Sequence, residues 1–316
     1  MLIKPRLRLV KDGTSFQFMK GRFAGLIVSA VLSIASVILF FYPGLNLGID
    51  FKGGIVMEIH TPAPADFNAI RAALATAGLH EPGVQRFGAP DQVAIRLEAQ
   101  PTEAGTQQVV TKVREAVEKA QPGSRIERTD AVGASVSAEL FQDGMLALGL
   151  SLLMILVYIW FRFEWQFAVG AVVTLILDVT KAIGFLALTR FDFDLVMVGA
   201  ILTVIGYSTN DKVVVYDRMR ENLRKYKTMP LRQLIDLSIN ETLNRTLGTS
   251  MTLFLAALPL ALFGGSALSG FAWVMLFGIV VGTSSSIFIA APILLFLGEK
   301  RLRRDTVAPT ASPAKG

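Results

Sequence analysis

The sequence predicts a polytopic α-helical membrane protein, with six transmembrane helices and a small α+β domain inserted between the first and the second. Three observations predict it. Of 316 residues 52% are hydrophobic and only 18% charged, with a mean hydropathy of +0.51, too apolar for an ordinary soluble domain. The apolar residues are gathered into runs of about 20, the length that crosses a bilayer. One stretch of about a hundred residues breaks the pattern with alternating and helical periodicities of ordinary soluble character.

Composition also removes several classes of function. There is no Cys, so thiol chemistry and Cys metal sites are excluded, and only His60 and His80 could offer imidazole. Neither has a spacing partner, so no metal and no cofactor is expected. The net charge of +6 sits in clusters beside hydrophobic runs, which speaks of membrane orientation rather than nucleic acid. No enzyme motif appears; the run Ser284, Ser285 and Ser286 lies in an apolar helix with no His near it.

Residues 1–22 form a basic tail, followed by helix 1 over 23–42, whose length and Tyr-Pro-Gly ending suit an uncleaved anchor better than a signal peptide. Residues 43–143 form the inserted domain. Strands over 55–60, 84–87, 93–97 and 125–132, with helices over 65–77 and 106–120, give the order β-α-β-β-α-β of a ferredoxin-like domain. At its entry Asp50 and Phe51 precede Gly53 and Gly54, a charged turn whose glycines permit angles and approaches closed to other residues. Its spacing matches no phosphate-binding loop, so a structural turn is favoured.

Helix 2 is expected over 144–161 and helix 3 over 165–188, joined by an interfacial turn with Trp165 as anchor. Helix 3 places Asp178 and Lys181 on one face, where they can pair as a neutralising structural pair or belong, with Lys212, to the proton pathway itself. Helix 4, over 195–216, carries Asn210, Asp211 and Lys212 inside an apolar run; each charge at such depth costs about 2.5 to 3.5 kcal/mol on insertion scales. At 100° per residue Thr203, Gly206, Tyr207, Asn210, Asp211 and Val214 share less than half the helix, a polar stripe that marks an ion or proton pathway. A cytoplasmic loop over 217–244 follows, with a short amphipathic helix over 231–237. Helix 5, over 245–263, is expected to break or kink at Pro259. Arg245, just before that run, would lie at the depth of Asp211 in an antiparallel pair, so the two could meet. Helix 6 spans 271–297, where Gly278, Gly282 and Ser286 recur every fourth residue for close packing, as Gly206 does in helix 4. Residues 298–316 read as a disordered cytoplasmic tail. Basic residues crowd one side of these loops, which puts both termini in the cytoplasm and the inserted domain in the periplasm.

Several strings carry a family resemblance: GIDFKGG over 48–54, RFEWQFAVGA over 162–171, GYSTNDKVVVYDRMREN over 206–222, LNRTLGTSMT over 243–252 and GIVVGTSSSIFIAAP over 278–292. In order and spacing they resemble the SecF family, the smaller subunits of the SecDF accessory to the bacterial Sec translocon, related to RND transporters. The resemblance spares only the two tails. It implies a bacterial inner-membrane protein that uses the proton motive force late in export. The implied partners are SecD, the SecYEG translocon, YidC and unfolded exported polypeptides. It assigns proton passage to Asp211 and Arg245. Two positions depart from the family pattern: Leu177 stands where His is common, and Lys212 where a small polar residue is usual.

Burial favours the protonated carboxyl and nearby cations the charged one, so Asp211 could change protonation state near neutral pH and tip a two-state helix arrangement. Counting Asp178 and Asp211 against Lys181, Lys212 and Arg245 leaves one positive charge in excess, which a carboxylate from SecD could balance. Two other readings compete: an RND-like half-transporter of a small molecule or lipid, and a passive translocon scaffold.

Overall fold

A computed structural model describes residues 15–79, 82–86, 89–100 and 102–297. His80, most of the N-terminal tail and the C-terminal tail lie outside the described residues.

A 3₁₀ turn over Phe18–Lys20 leads into α1 (Arg22–Phe41), apolar on nearly every face. Next comes a two-residue strand, β1 (Asn46–Leu47), and a single helical turn, α2 (Ile49–Lys52), which ends at Gly53 and Gly54. Both glycines have positive φ, +72° and +134°. At Gly54 a Cβ would lie 2.7 Å from the Leu97 carbonyl oxygen, so no other residue fits the entry to the domain.

The domain comprises β2 (Gly54–His60), α3 (Phe67–Thr76), β3 (Gly83–Arg86), β4 (Gln92–Leu97), α4 (Glu103–Ala120) and β5 (Arg125–Val132). Its sheet is antiparallel with strand order β3-β4-β2-β5. Alternation in β2 buries Ile55, Met57 and Ile59 beneath Ile70 and Leu74 of α3 and Val113 and Val117 of α4. The helices begin where side chains cap them: Asp66 accepts from the Asn68 and Ala69 amides, and Thr102 from the Gly105 amide.

The remainder is helical: α5 (Ala134–Arg162), α6 (Trp165–Thr189), α7 (Leu195–Lys225), α8 (Leu231–Phe263) and α9 (Gly265–Ser285), which passes through a π-helical turn (Ser286–Ala290) into α10 (Ala291–Leu297). Among the described residues five runs are long and apolar enough to cross a membrane: α1, α5, α6, α8 and residues 268–297. The count by length and composition is therefore five rather than six. The missing one is α7, whose length suffices but whose run is interrupted by Asp211 and Lys212 and ends in charge.

Two other expectations are corrected. The segment over 217–244 is mostly helix, because its polar groups are paired across α7 and α8: the charges of Arg218 and Glu241 at 2.7 Å, and the Asn222 amide donating to the Ser238 hydroxyl at 3.0 Å. Only residues 226–230 link the two. Helix α8 also continues through Pro259, which lies four residues before its end and so removes one hydrogen bond near the terminus, not in the middle.

The pairs Arg218–Glu241, Asn222–Ser238 and Tyr207–Ser250 show α7 and α8 running antiparallel. Helix α9 runs parallel to α7. Val204 fills the space above Gly278, where an added Cβ would lie 2.3 Å from its Cγ2, and Ser208 lies over Gly282. The domain meets the bundle where β1 pairs with β6 (Asp192–Phe193), at the start of α7. There Phe51 meets Phe141 edge to face and Phe193 at a tilt, the Leu195 amide donates to Asp50, and Arg96 of β4 bonds to Asp192.

Candidate proton site within the helix bundle

Four charged side chains are buried among the described residues: Asp178, Lys181, Asp211 and Lys212, each at most 6% exposed. Three of them form one cluster. Asp178 Oδ2 accepts from Lys212 Nζ at 2.9 Å, from Ser208 Oγ at 2.7 Å and from Ser285 Oγ at 2.7 Å. Lys181 Nζ lies 3.7 Å from Oδ1. Lys212 also bonds to Ser208, one turn earlier on α7. The partner of Asp178 is thus chiefly Lys212, from another helix, with the expected Lys181 contact longer.

Asp211 stands apart. No cation lies within ion-pair distance of it among the described residues, and its Oδ2 is buried without a hydrogen-bond partner. The Thr246 hydroxyl of α8 and the Ser286 hydroxyl of the π turn face the carboxyl but leave Oδ2 unbonded; Thr246 Oγ1 is likewise unpartnered. The Ser286 hydroxyl donates to the Gly282 carbonyl instead.

Helical geometry explains the division. Neighbouring residues point about 100° apart, so adjacent side chains serve different neighbours. On α7 Lys212 turns to α6 and Asp211 to α8. On the last helix Ser285 reaches Asp178 while Ser286 faces Asp211. On α8 Thr246 takes the inward position, which leaves Arg245 exposed and without an ion pair among the described residues. The expected meeting of Asp211 and Arg245 is not made within this chain, and neither is any pairing of Asp211 with Lys212.

Part of the polar stripe points away from the rest of the chain. Thr203, Gly206 and Asn210 are exposed, and a Cβ on Gly206 would meet nothing within 4 Å, so among the described residues Gly206 packs against no helix, where close packing was expected. Ser208, Ser285 and Thr246 were not singled out from sequence as partners of the charges. The only available signal was position: Ser208 lies one turn before Lys212, and Ser285 one residue before the last of the four-spaced small residues. The π turn left no mark in sequence. It is held by Tyr216, whose hydroxyl donates to the Ala290 carbonyl at 3.0 Å, with its ring against Phe163 and Phe167. Such turns recur at functional sites.

At the other end of α7, Asp194 caps the helix by accepting from the Met197 amide at 2.9 Å. Burial holds its carboxyl above the usual value of 3.8, and the charges of Asp50 and Asp192 add to this against the pull of the Met197 amide. His60 pairs with Asp91 at 3.1 Å on the domain surface, and no group of three metal-ligating side chains occurs among the described residues.

Comparison with known proteins agrees with this architecture. The family model described as protein export membrane protein SecD/SecF, C-terminal, matches residues 112–300, and the SecD/SecF GG motif matches residues 38–61. The protein translocase subunit SecF of Rhodobacter capsulatus is 42% identical over 94% of this chain and 93% of its own length. That of Cereibacter sphaeroides is 43% identical over 96% and 97%. The crystal structure of SecDF from Thermus thermophilus, described as a translocon-associated membrane protein, superposes with a TM-score of 0.82 at 29% identity. It covers 93% of this chain, which in turn spans only 40% of that longer chain. The chain is a multi-pass membrane protein and belongs to the SecD/SecF family of protein-export membrane proteins.

Proposed function

We propose that this protein is a non-enzymatic subunit of the Sec protein-export machinery that couples the proton motive force to late translocation, with Asp211 as the group that takes up and releases the proton. The carrying observation is the isolation of Asp211: of four buried charged side chains, it alone lacks an ion partner. An acid left unneutralised inside an apolar bundle costs free energy that a purely structural residue would not retain, and intramembrane ionisable groups mark ion pathways. The Asp178–Lys212–Lys181 cluster serves instead as a fixed strut between α6, α7 and the last helix.

In this reading α7 is the sixth spanning helix, and the inserted domain, ferredoxin-like in its strand order, lies in the periplasm with both termini cytoplasmic. The exposed Asn210 of α7 and Arg245 of α8 are covered by SecD, whose carboxylate offsets the positive charge. Export partners are SecYEG, YidC and unfolded polypeptides. Protonation of Asp211 removes a charge between α7, α8 and the π turn, and the shift passes along α7 to Asp50, Asp192 and Asp194, where the domain is attached.

The test replaces Asp211 with Asn in cells carrying no other copy, confirms that the complex with SecD still forms, and follows export of a secreted precursor over time. Loss of export with an intact complex supports the reading. Normal export removes proton coupling at Asp211 and leaves the passive scaffold.

A further inference from the structure

One turn from Asp211 toward the domain end of the bundle, three hydroxyls from three helices close a ring. Tyr207 Oη of α7 bonds to Ser250 Oγ of α8 and lies 3.1 Å from Thr283 Oγ1 of α9. Ser250 Oγ and Thr283 Oγ1 are 2.8 Å apart. The ring repeats the Asp211 site in register. Tyr207 precedes Asp211 by four residues, and Ser250 follows Thr246 by four on the antiparallel helix. Thr283 precedes Ser286 by three on the parallel one. All three helices therefore step back by about one turn, roughly 5.4 Å along each axis. Its members are half-buried, whereas Asp211 is 6% exposed. Thr203, one turn further toward the domain, is exposed. In burial the ring is thus intermediate between the exposed Thr203 and the buried carboxyl.

Packing alone does not account for this arrangement. Three half-buried hydroxyls on three helices could each have bonded back to its own helix, as Thr203 does to the Gly199 carbonyl and Thr249 to the Arg245 carbonyl. Ser250 does bond back, to the Thr246 carbonyl at 2.8 Å, so its oxygen is left to accept from Tyr207 or Thr283. Below it Thr246 Oγ1, buried and unpartnered, shares the Asp211 face with the unpartnered Oδ2.

We propose that Tyr207, Ser250 and Thr283 form a hydroxyl relay that carries protons between the domain side of the membrane and Asp211, with Thr246 as the last hydroxyl before the carboxyl. Each hydroxyl both donates and accepts. A hydronium ion at the mouth gives a proton to one ring hydroxyl as that hydroxyl passes its own proton to the next; Thr246 Oγ1, which makes no hydrogen bond to the ring, is reached through an intervening water that takes a proton from the ring as it gives one inward, so no member is left charged. The proton ends on Asp211, a neutral water remains at the mouth, and rotation of the hydroxyls resets the ring. Water is the only co-reactant. The relay rests on the assignment of Asp211 as the proton-carrying group, and it adds the route and the side of access.

The test measures proton uptake into sealed vesicles holding the complete complex with its second subunit, under an imposed gradient, with complex recovery checked for each variant. Tyr207→Phe and Thr283→Val remove a hydroxyl at almost constant shape. Each is expected to slow uptake about a hundredfold or more, the range lost when a positioned proton-transfer group is removed. Thr283→Ser, which restores the hydroxyl, recovers uptake. Wild-type uptake in both Tyr207→Phe and Thr283→Val, with Asp211→Asn inactive, overturns the relay and leaves the function intact. Equal loss in Thr283→Ser and Thr283→Val also overturns it, since shape rather than the hydroxyl would then matter. Normal uptake in Asp211→Asn overturns the assignment on which the relay stands.

Discussion

Replacing Lys212 with Met keeps the side-chain length and removes the charge that holds Asp178. The carboxylate, 2% exposed, would retain the Ser208 and Ser285 hydroxyls and the more distant Lys181 at 3.7 Å. Breaking a buried pair by removing one partner costs about 3 to 5 kcal/mol. Two surviving hydrogen bonds, and relief of repulsion between Lys181 and Lys212, place this case at the lower end, about 3 kcal/mol, roughly a hundredfold in the unfolding equilibrium. Asp178→Asn combined with Lys212→Met should lose less than the sum of the single losses, with a coupling of about 2 kcal/mol. Equilibrium unfolding of the purified complex in mixed micelles measures all four corners of that cycle. A Lys212→Met protein within about 0.5 kcal/mol of wild type, or a coupling near zero, would refute the claim that this pair is a structural strut.

Three further outcomes follow from the packing and the joint. Gly278→Ala drives a Cβ to 2.3 Å from Val204 Cγ2 and should destabilise the α7–α9 contact by about 1 to 3 kcal/mol, with Val204→Ala restoring part of the loss; thermal unfolding reads both. Gly54→Ala forces an L side chain into φ +134° and against the Leu97 carbonyl, at a cost of about 1 to 3 kcal/mol, and should speed protease cleavage within the domain. Asp194→Asn keeps the helix cap, since Asn caps about as well as Asp. Because the folded-state carboxyl sits above 3.8, the ionised form weakens the joint, and stability falls as pH rises from 3.8 through the raised value. The variant should therefore melt higher than wild type at neutral pH, and the gain should vanish in acid below 3.8; an equal gain at both pH values would contradict the assignment.

The domain was legible almost strand by strand, because alternation at Ile55, Met57 and Ile59 and the valine face of α4 leave few alternatives. Charges inside apolar runs likewise marked Asp178, Lys181, Asp211 and Lys212 before any helix was placed. Of their pairings only the contact between Asp178 and Lys181 was legible. Asp211 and Lys212 are adjacent in sequence, and one residue of helical rotation sends them to different helices. The same rotation exchanged Thr246 for Arg245 beside the acid. Helix ends were missed where charge signalled a loop, since partners such as Glu241 for Arg218 come from another helix. Tyr207 stood out as part of a stripe, but its ring with Ser250 and Thr283 exists only in three dimensions.

Infrared difference spectroscopy of the purified complex between mildly acidic and mildly basic buffer observes a change in the protonation state of Asp211 directly. Proton coupling at Asp211 predicts a protonated-carboxyl band that appears in acid, disappears in Asp211→Asn and persists in Asp178→Asn. A difference spectrum unchanged by Asp211→Asn would contradict it.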